Sequence, residues 1–289
     1  MVYTVGENLF KDLTMADVFF CEITEIKVLT DAVYSITVKS REIAKAARPG
    51  QFLHIKCGHS RILRRPISIC YVKNDDVNFV FEAKGEGTKW LTAKKQGEIL
   101  NILGPLGTGF NIPDEKLLIV GGGVGTPPML FAAQSAKNEV TAILGFRSAD
   151  RVILTEEFKQ TCKDVFITTD DGSVGIHGPV TKPLEELLQT GEYKTVLSCG
   201  QILMQKAVAD ICKKYNVSSQ VSLEERMGCG VGACLVCACA TYLKADPGNM
   251  STTETANNTT NTTETITMSR VCLDGPVFSA DDVVWNEVL

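Results

Sequence analysis

Residues 117–128 read Leu117-Leu118-Ile119-Val120-Gly121-Gly122-Gly123-Val124-Gly125-Thr126-Pro127-Pro128. Four apolar residues followed by glycines describe a buried strand that runs into a tight turn and then a helix. Glycines at such a turn let a diphosphate approach the backbone, and a helix start favours negative charge. The segment departs from the G-x-G-x-x-G form, because Thr126 stands where the third glycine would fall. Read alone, it fits a dinucleotide site and a purely structural turn equally.

From this segment the alternation of strand and helix continues downstream. Apolar runs at 116–120, 140–144, 165–168, 195–198 and 219–223 read as strands, and 126–137, 156–162, 183–189 and 202–215 as helices. That rhythm predicts a doubly wound parallel α/β sheet over 113–223. Upstream the period is two: the runs 33–38, 51–56, 67–72, 77–83 and 98–103 alternate, with turn residues such as Pro49-Gly50 and Asn74-Asp75-Asp76 between them. These predict a closed antiparallel β-barrel within 1–112, interrupted by one helix near 88–95. A small third domain is expected over 224–289. Its Thr- and Asn-rich run 246–268 is expected to be a disordered insertion.

Composition agrees with two compact domains and an appendage, since 289 residues at 44% apolar are many for a single core. With 29 basic and 34 acidic groups the net charge is -5, which argues against a general nucleic-acid binder. The longest apolar stretch, 117–133, is broken by four glycines and two prolines, so no membrane span is read. Glu7, Lys11, Asp12 and Asp17 interrupt the first twenty residues, which lack the order of an export signal, and a cytoplasmic location is expected. The Asn-x-Thr triplets, such as Asn258-Thr259-Thr260, would be glycosylation acceptors only in an exported protein.

Eleven cysteines in such a chain point to metal or free thiols before disulfides. Cys21, Cys57, Cys70, Cys162, Cys199 and Cys212 are scattered, mostly in apolar runs, and read as buried thiols. Cys229-x4-Cys234-x2-Cys237 with a distant Cys272 has the plant-type spacing for a 2Fe-2S cluster. The small residues Gly228, Gly230, Gly232 and Ala233 let the loop wrap tightly and aim amides at the sulfurs. A structural zinc site would also take four cysteines, but usually as two close pairs. Cys239 competes with Cys272 as fourth ligand. Cys272 is favoured, because a strand leaving the loop would carry Cys239 along the same element instead of closing the site from its far side.

A further motif, Arg64-Arg65-Pro66-Ile67-Ser68-Ile69, precedes Gly85-Glu86-Gly87-Thr88 at a helix start. Arginine and hydroxyl on one strand, with helix-start amides, suit a diphosphate, while the strand backbone faces a flat ring. Read singly, each half is a surface basic pair or a helix cap. No catalytic acid or base is identified. His54, His59 and His177 have no recognisable nucleophile or metal-ligand companion and are expected to be structural.

Taken in order, these motifs resemble the ferredoxin-NADP reductase superfamily over residues 19–223. The tail narrows the resemblance. Leu223-Glu224-Glu225-Arg226-Met227-Gly228-Cys229-Gly230-Val231-Gly232-Ala233-Cys234 and Cys272-Leu273-Asp274-Gly275-Pro276-Val277-Phe278 are similar to segments of the electron-transfer subunits of NAD-dependent (type B) dihydroorotate dehydrogenases. The resemblance implies a flavin-binding barrel, with FAD at Arg65, Pro66, Ile67, Ser68, Phe81 and Glu82 and its diphosphate at Gly87 and Thr88. Ile67 takes the place of the flavin-stacking tyrosine of plant-type reductases. It implies NAD at Gly121, Gly122, Gly123, Gly125 and Thr126, the nicotinamide near Cys199 and Gly200, and the 2Fe-2S cluster on Cys229, Cys234, Cys237 and Cys272.

Two features depart from the pattern: Leu235-Val236 before the third cysteine, where a glycine is common, and the long insertion before the fourth. The resemblance also implies an FMN-containing catalytic subunit that oxidises dihydroorotate to orotate in pyrimidine biosynthesis, joined as a heterotetramer of two of each chain. Other readings stay open at this point. One is a reductase subunit of a ferredoxin-linked transhydrogenase, sulfur reductase or hydrogenase; the other is a non-enzymatic redox or zinc-binding regulator that retains the fold. The choice between NADH and NADPH is also open.

Overall fold

Alternating side chains roll the N-terminal part of the chain into a barrel. The computed structural model describes residues 17–58, 62–243 and 265–288. Six strands, β1 (Val18–Val28), β2 (Val33–Lys39), β3 (Phe52–Ile55), β4 (Arg65–Lys73), β5 (Asp76–Glu82) and β6 (Ile99–Leu106), close in the order β1-β2-β5-β4-β3-β6. Ile23, Ile36, Leu53, Ile69, Phe79 and Ile102 fill the interior without measurable exposure. Two helices interrupt the strands where one was expected. The unexpected one, α1 (Arg41–Ala46), buries only Ile43 and is started by Ser40, whose Oγ accepts from the Ile43 N–H at 3.3 Å. Six residues are too few to show a helical period. The second, α2 (Glu86–Thr92), begins two residues before the expected start.

Beyond the barrel, strand and helix alternate as the apolar runs suggest. The elements are β7 (Leu117–Gly122), α3 (Thr126–Ser135), β8 (Val140–Phe146), α4 (Thr155–Thr161), β9 (Asp164–Thr169), β10 (Ile176–His177), α5 (Thr181–Leu188), β11 (Thr195–Cys199), α6 (Ile202–Lys214) and β12 (Ser218–Ser222). The sheet order is β10-β9-β8-β7-β11-β12, parallel throughout. Met129 and Phe158, from α3 and α4, pack on one face, and Leu184 and Val208, from α5 and α6, on the other. Strand order reverses at β7, between β8 and β11, and the crevice at the carboxyl ends of β7 and β11 is where open α/β sheets bind ligands. Helix α3 is buried from Thr126 to Ala133, because it lies between this sheet and the barrel, where Phe131 joins the barrel core.

The C-terminal part contributes β13 (Ala238–Tyr242), β14 (Ile266–Arg270), β15 (Val277–Ser279) and α7 (Trp285–Val288). β13 and β14 form an antiparallel pair, and β15 adds antiparallel to β12 as a seventh strand of the large sheet. Of the expected disordered run, 246–264 lie outside the described residues, whereas Ile266-Thr267-Met268 belong to β14. These three alternate in a short β-prone stretch that pairs with β13, which the threonine-rich composition around them concealed. Among the described residues no helix is long and apolar enough to cross a membrane.

Phe79 is among the largest fully buried side chains of the barrel. Phe79→Ala is expected to lower the unfolding free energy by about 3–5 kcal/mol, from lost transfer energy and the cavity left behind. The urea midpoint at unchanged slope measures this, and a loss below about 1 kcal/mol would show that the barrel interior collapses around the gap.

Candidate functional site

Three groups of residues converge on the outer face of the barrel and the adjoining crevice. The first lies on β4. Ile67 and Ile69 point into the barrel, so the outer positions fall to Pro66 and Ser68, both half-buried. Arg64 is structural: its Nη1 donates to the carbonyls of His54 (3.1 Å) and Asn101 (3.2 Å), joining β3 to β6. Arg65 instead lays its guanidinium over the start of α2, where a Cβ on Gly87 would stand 2.4 Å from Nε. One cation against one helix start is a donor set suited to a diphosphate.

Three residues that the resemblance places at FAD have their side chains engaged within the fold. Ile67 faces the barrel interior, so its side chain takes no stacking position on an outer ring. Phe81 also points inward, stacked on Tyr34 at 5.9 Å between centroids. The Thr88 hydroxyl accepts from the N–H groups of Lys84 and Gly85 at 3.1 Å, which makes it part of the α2 cap. Glu82 pairs with Lys84 at 2.8 Å and faces Arg151, from the α/β sheet, at 3.7 Å. Strand parity decides the first two outcomes, since neighbours along a strand face opposite sides.

The second group is the glycine turn at the β7/β11 crevice. Gly123–Gly125 forms a single 3-10 turn between β7 and α3. The turn packs directly on β11: a Cβ on Gly125 would lie 2.4 Å from the Cys199 carbonyl oxygen and 2.6 Å from the Gly200 nitrogen. Cys199 and Gly200 are therefore brought beside the turn, as expected, and the Met204 side chain lies across both Gly122 and Gly200. Pro127 and Pro128 occupy the first turn of α3 and have no N–H, so donors at this helix start come from the glycine turn instead of the helix. Thr126 is fully buried and its Oγ1 has no hydrogen-bond partner.

The third group is the cysteine loop between β12 and β13. Backbone N–H groups of Val231, Ala233 and Cys234 donate to Cys229 Sγ at 3.4, 3.3 and 3.4 Å. The Cys229 N–H donates to Cys234 Sγ (3.4 Å), that of Gly232 to Cys272 Sγ (3.1 Å), and that of Cys272 to Cys237 Sγ (3.4 Å). Six amides thus serve four sulfurs, a donor set suited to thiolates that carry metal. Burial raises the Cys229 thiol, but the amides of Val231, Cys234 and Ala233 outweigh it and bring it down to about 7. Cys239 has no such donors; it lies in the core on β13, where burial pushes it up to about 11. Arg270 grips Asp274 through Nε (2.9 Å) and Nη2 (3.0 Å) and reaches the Gly232 carbonyl at 3.4 Å, bracing the Cys272 turn against the loop.

Sequence reasoning missed two contributors. The Arg270–Asp274 pair has no motif to announce it. His54, one polar residue in the buried run Phe-Leu-His-Ile, was the available signal. It is fully buried, and burial, with the positive charge of Arg64 beside it, pulls the imidazole down to about 4 and keeps it neutral. His177, on β10, is exposed, and His59 lies outside the described residues.

The comparisons with known proteins agree with this geometry. Residues 224–250 match the family model of the iron-sulfur cluster binding domain of dihydroorotate dehydrogenase B. The chain is 39% identical over 259 residues to the dihydroorotate dehydrogenase B (NAD(+)) electron transfer subunit of Caldanaerobacter subterraneus subsp. tengcongensis, covering 89% of this chain and 94% of that one. It is 34% identical over 281 residues to the subunit of the same name from Desulforamulus reducens, covering 94% and 100%. A solved structure of an NADH-dependent reduced ferredoxin-NADP oxidoreductase, described for flavin-based electron bifurcation, superimposes with a TM-score of 0.75 at 28% identity over 93% of this chain and 91% of that one.

Burial pushes the thiols of Cys21, Cys162 and Cys212 up to about 11, 12 and 12, and that of Cys70 further up. Iodoacetamide at pH 8 is therefore expected to leave these four unmodified in the native chain over a time that alkylates Cys229 and Cys234 in iron-free protein. Peptide mass mapping reads the result, and fast labelling of Cys162 or Cys212 would contradict their burial.

Proposed function

The chain belongs to the dihydroorotate dehydrogenase B (NAD(+)) electron transfer subunits, and from that premise we propose that it carries electrons between a nicotinamide, FAD and a 2Fe-2S cluster. An FMN-containing partner oxidises dihydroorotate to orotate and supplies those electrons. The observation that carries this reading is the cysteine loop itself: four sulfurs served by six backbone amides, seated on the same barrel that presents Arg65, Pro66 and Ser68. FAD supplies the exchange between two-electron hydride transfer and one-electron steps.

Each group of residues then has a defined task. Arg65 would offset the charge of the flavin diphosphate and the Gly87 amide would donate to it, while Pro66 and Ser68 would offer the outer face of β4 to the ring. Gly121, Gly122, Gly123 and Gly125 admit the dinucleotide backbone to the crevice, and Cys199 and Gly200 border the nicotinamide end. Cys229, Cys234, Cys237 and Cys272 hold the cluster, and Cys239, which receives none of the six amides, does not. No residue of this chain is assigned as an acid or base.

The partner and the assembly belong to the same proposal. Leu235 and Val236 lie 62% and 56% exposed between the second and third cysteines, an apolar surface beside the cluster that a catalytic subunit would cover. A heterotetramer of two chains of each kind is proposed. Among the described residues no two cysteines form a disulfide, which suits a reducing cytoplasm.

The direct test is an anaerobic visible spectrum with flavin, iron and sulfide quantified, repeated after adding NADH. Flavin and about two irons per chain, both bleached by NADH, are expected. A colourless, zinc-loaded protein would overturn the reading, and so would turnover of dihydroorotate with NAD by this chain alone. Two variants separate the parts. Cys272→Ser is expected to lose iron yet keep flavin that NADH still reduces. Gly125→Ala, which forces the turn away from Cys199, is expected to lower kcat/KM for NADH about 100-fold with flavin and iron retained.

A further inference from the structure

Helix α6 turns one face into the molecule, where Val208, Ala209 and Cys212 are buried in apolar cores. Gln205 is the polar exception on that helix, at 1% exposure. Its Nε2 donates twice, to the Gly200 carbonyl at 2.9 Å and to the Ser222 carbonyl at 2.8 Å. Both acceptors are backbone oxygens, so only the nitrogen end of the amide can face them. The other end, Oε1, is buried without a hydrogen-bond partner.

The two carbonyls stand at the carboxyl ends of neighbouring strands, where Cys199 of β11 is paired with Ser222 of β12. Gly200 follows β11 directly and borders the glycine turn: a Cβ on it would stand 3.1 Å from the Gly122 Cα, and its nitrogen is packed against Gly125. Beyond β12 the chain runs into the segment that reaches Cys229, and it is held there by the Leu223 N–H, which donates to the Pro276 carbonyl at 2.8 Å. One side chain therefore ties the border of the crevice to the root of the cysteine loop.

A buried amide with an unmet oxygen costs free energy that a methionine or leucine in its place would not. What those side chains lack is two uncharged N–H donors on a single nitrogen; a hydroxyl offers one, and lysine or arginine would bring a charge. Gly200 has no side chain whose packing could hold its peptide, so the carbonyl bond does it instead. Resting on the proposed function, we propose that Gln205 is a positioning residue for hydride transfer: it fixes the Gly200 backbone at the nicotinamide end of the crevice. In that step NADH gives up a hydride, a proton with two electrons, and becomes NAD(+), and the flavin takes up that hydride and is reduced. Gln205 acts through the Gly200 peptide and not on the reactants.

The test compares Gln205→Met, which keeps an unbranched chain and loses both donors, with Gln205→Asn, whose amide is one methylene too short to span both carbonyls. Each is prepared as the full chain loaded with flavin and iron. Stopped-flow reduction by NADH gives the limiting rate and the apparent Kd, and hydrogen–deuterium exchange of peptides spanning 199–204 and 222–229 gives a readout independent of turnover.

Gln205→Met is expected to lower the limiting rate about tenfold, since a misplacement of about 1 Å costs up to about 100-fold, while the apparent Kd changes by less than about threefold. Exchange over 199–204 should quicken, and Gln205→Asn should fall between Gln205→Met and wild type in both readouts. A wild-type limiting rate in Gln205→Met, even with a lower melting temperature, would reduce the amide to packing and overturn the inference. Weaker NADH binding at an unchanged rate, or slower reduction with wild-type exchange over 199–204, would overturn it too. If Gln205→Met fails to hold flavin, Gln205→Asn decides: slower reduction with faster exchange supports the inference, and wild-type values overturn it. In all these cases the proposed function stands; a wild-type chain whose flavin NADH does not reduce would overturn that function and this inference with it.

Discussion

A strand shows its side chains alternately to its two faces, and in this protein β3 and β4 must satisfy both at once. Leu53, Ile55, Ile67 and Ile69 close the barrel, which leaves Phe52, His54, Pro66 and Ser68 for the outside. The register sets Phe52 opposite Ser68 and His54 opposite Pro66. A one-residue slip would put the imidazole into the apolar interior and expose the isoleucines, so filling the barrel determines what stands on its outer face. The residues proposed for flavin, Pro66 and Ser68, and the cysteine loop both lie on that face, and their relative placement follows from the barrel's packing.

The same barrel sets the position of the crevice at the ends of β7 and β11. Helix α3 has no solvent face over its first two turns, because the sheet covers one side and the barrel, through Phe131, the other. The glycine turn that precedes α3 is consequently held against both β4's domain and β11. Pro127 and Pro128 remove two helix-start donors, so the turn itself must present the amides. That makes backbone approach, and hence glycine, more important here than in a site built on the helix dipole.

Periodic features were legible in the sequence and local exceptions were not. The barrel runs and the βα alternation repeat along the chain, and the cysteines fall in a characteristic ligand spacing, so a window of residues carries each signal. Helix α1 buries one side chain and β15 spans three residues, too little for any period to register. Ile67 and Phe81, which the resemblance places at FAD, have their side chains in the barrel core, at strand positions whose parity is visible in Ile67-Ser68-Ile69 and Phe79-Val80-Phe81. His54 was passed over because a histidine without a sequence companion carries no pattern, and its neighbours come from β4 and from residue 230.

The long insertion between the third and fourth cysteines looks, in sequence, like a threat to the site. The hairpin removes it. β13 and β14 pair from Ala238 with Arg270 at one end to Tyr242 with Ile266 at the other. Cys237 and Cys272 flank the first end, tied by the Val271 N–H to the Cys237 carbonyl at 2.9 Å and by the Cys272 N–H to Cys237 Sγ at 3.4 Å. The chain leaves the hairpin at Leu243 and returns at Thr265, joined there by the Leu243 N–H to the Thr265 carbonyl at 2.7 Å. Six strand steps, roughly 20 Å, separate Leu243 from Cys237. Closing a longer loop at that distance costs only a logarithm of its length, and the paired strands spend that cost before it reaches Cys237 or Cys272. Ligand geometry is thus set by the hairpin's register and by β15 on β12, whatever the length of chain between residues 243 and 265.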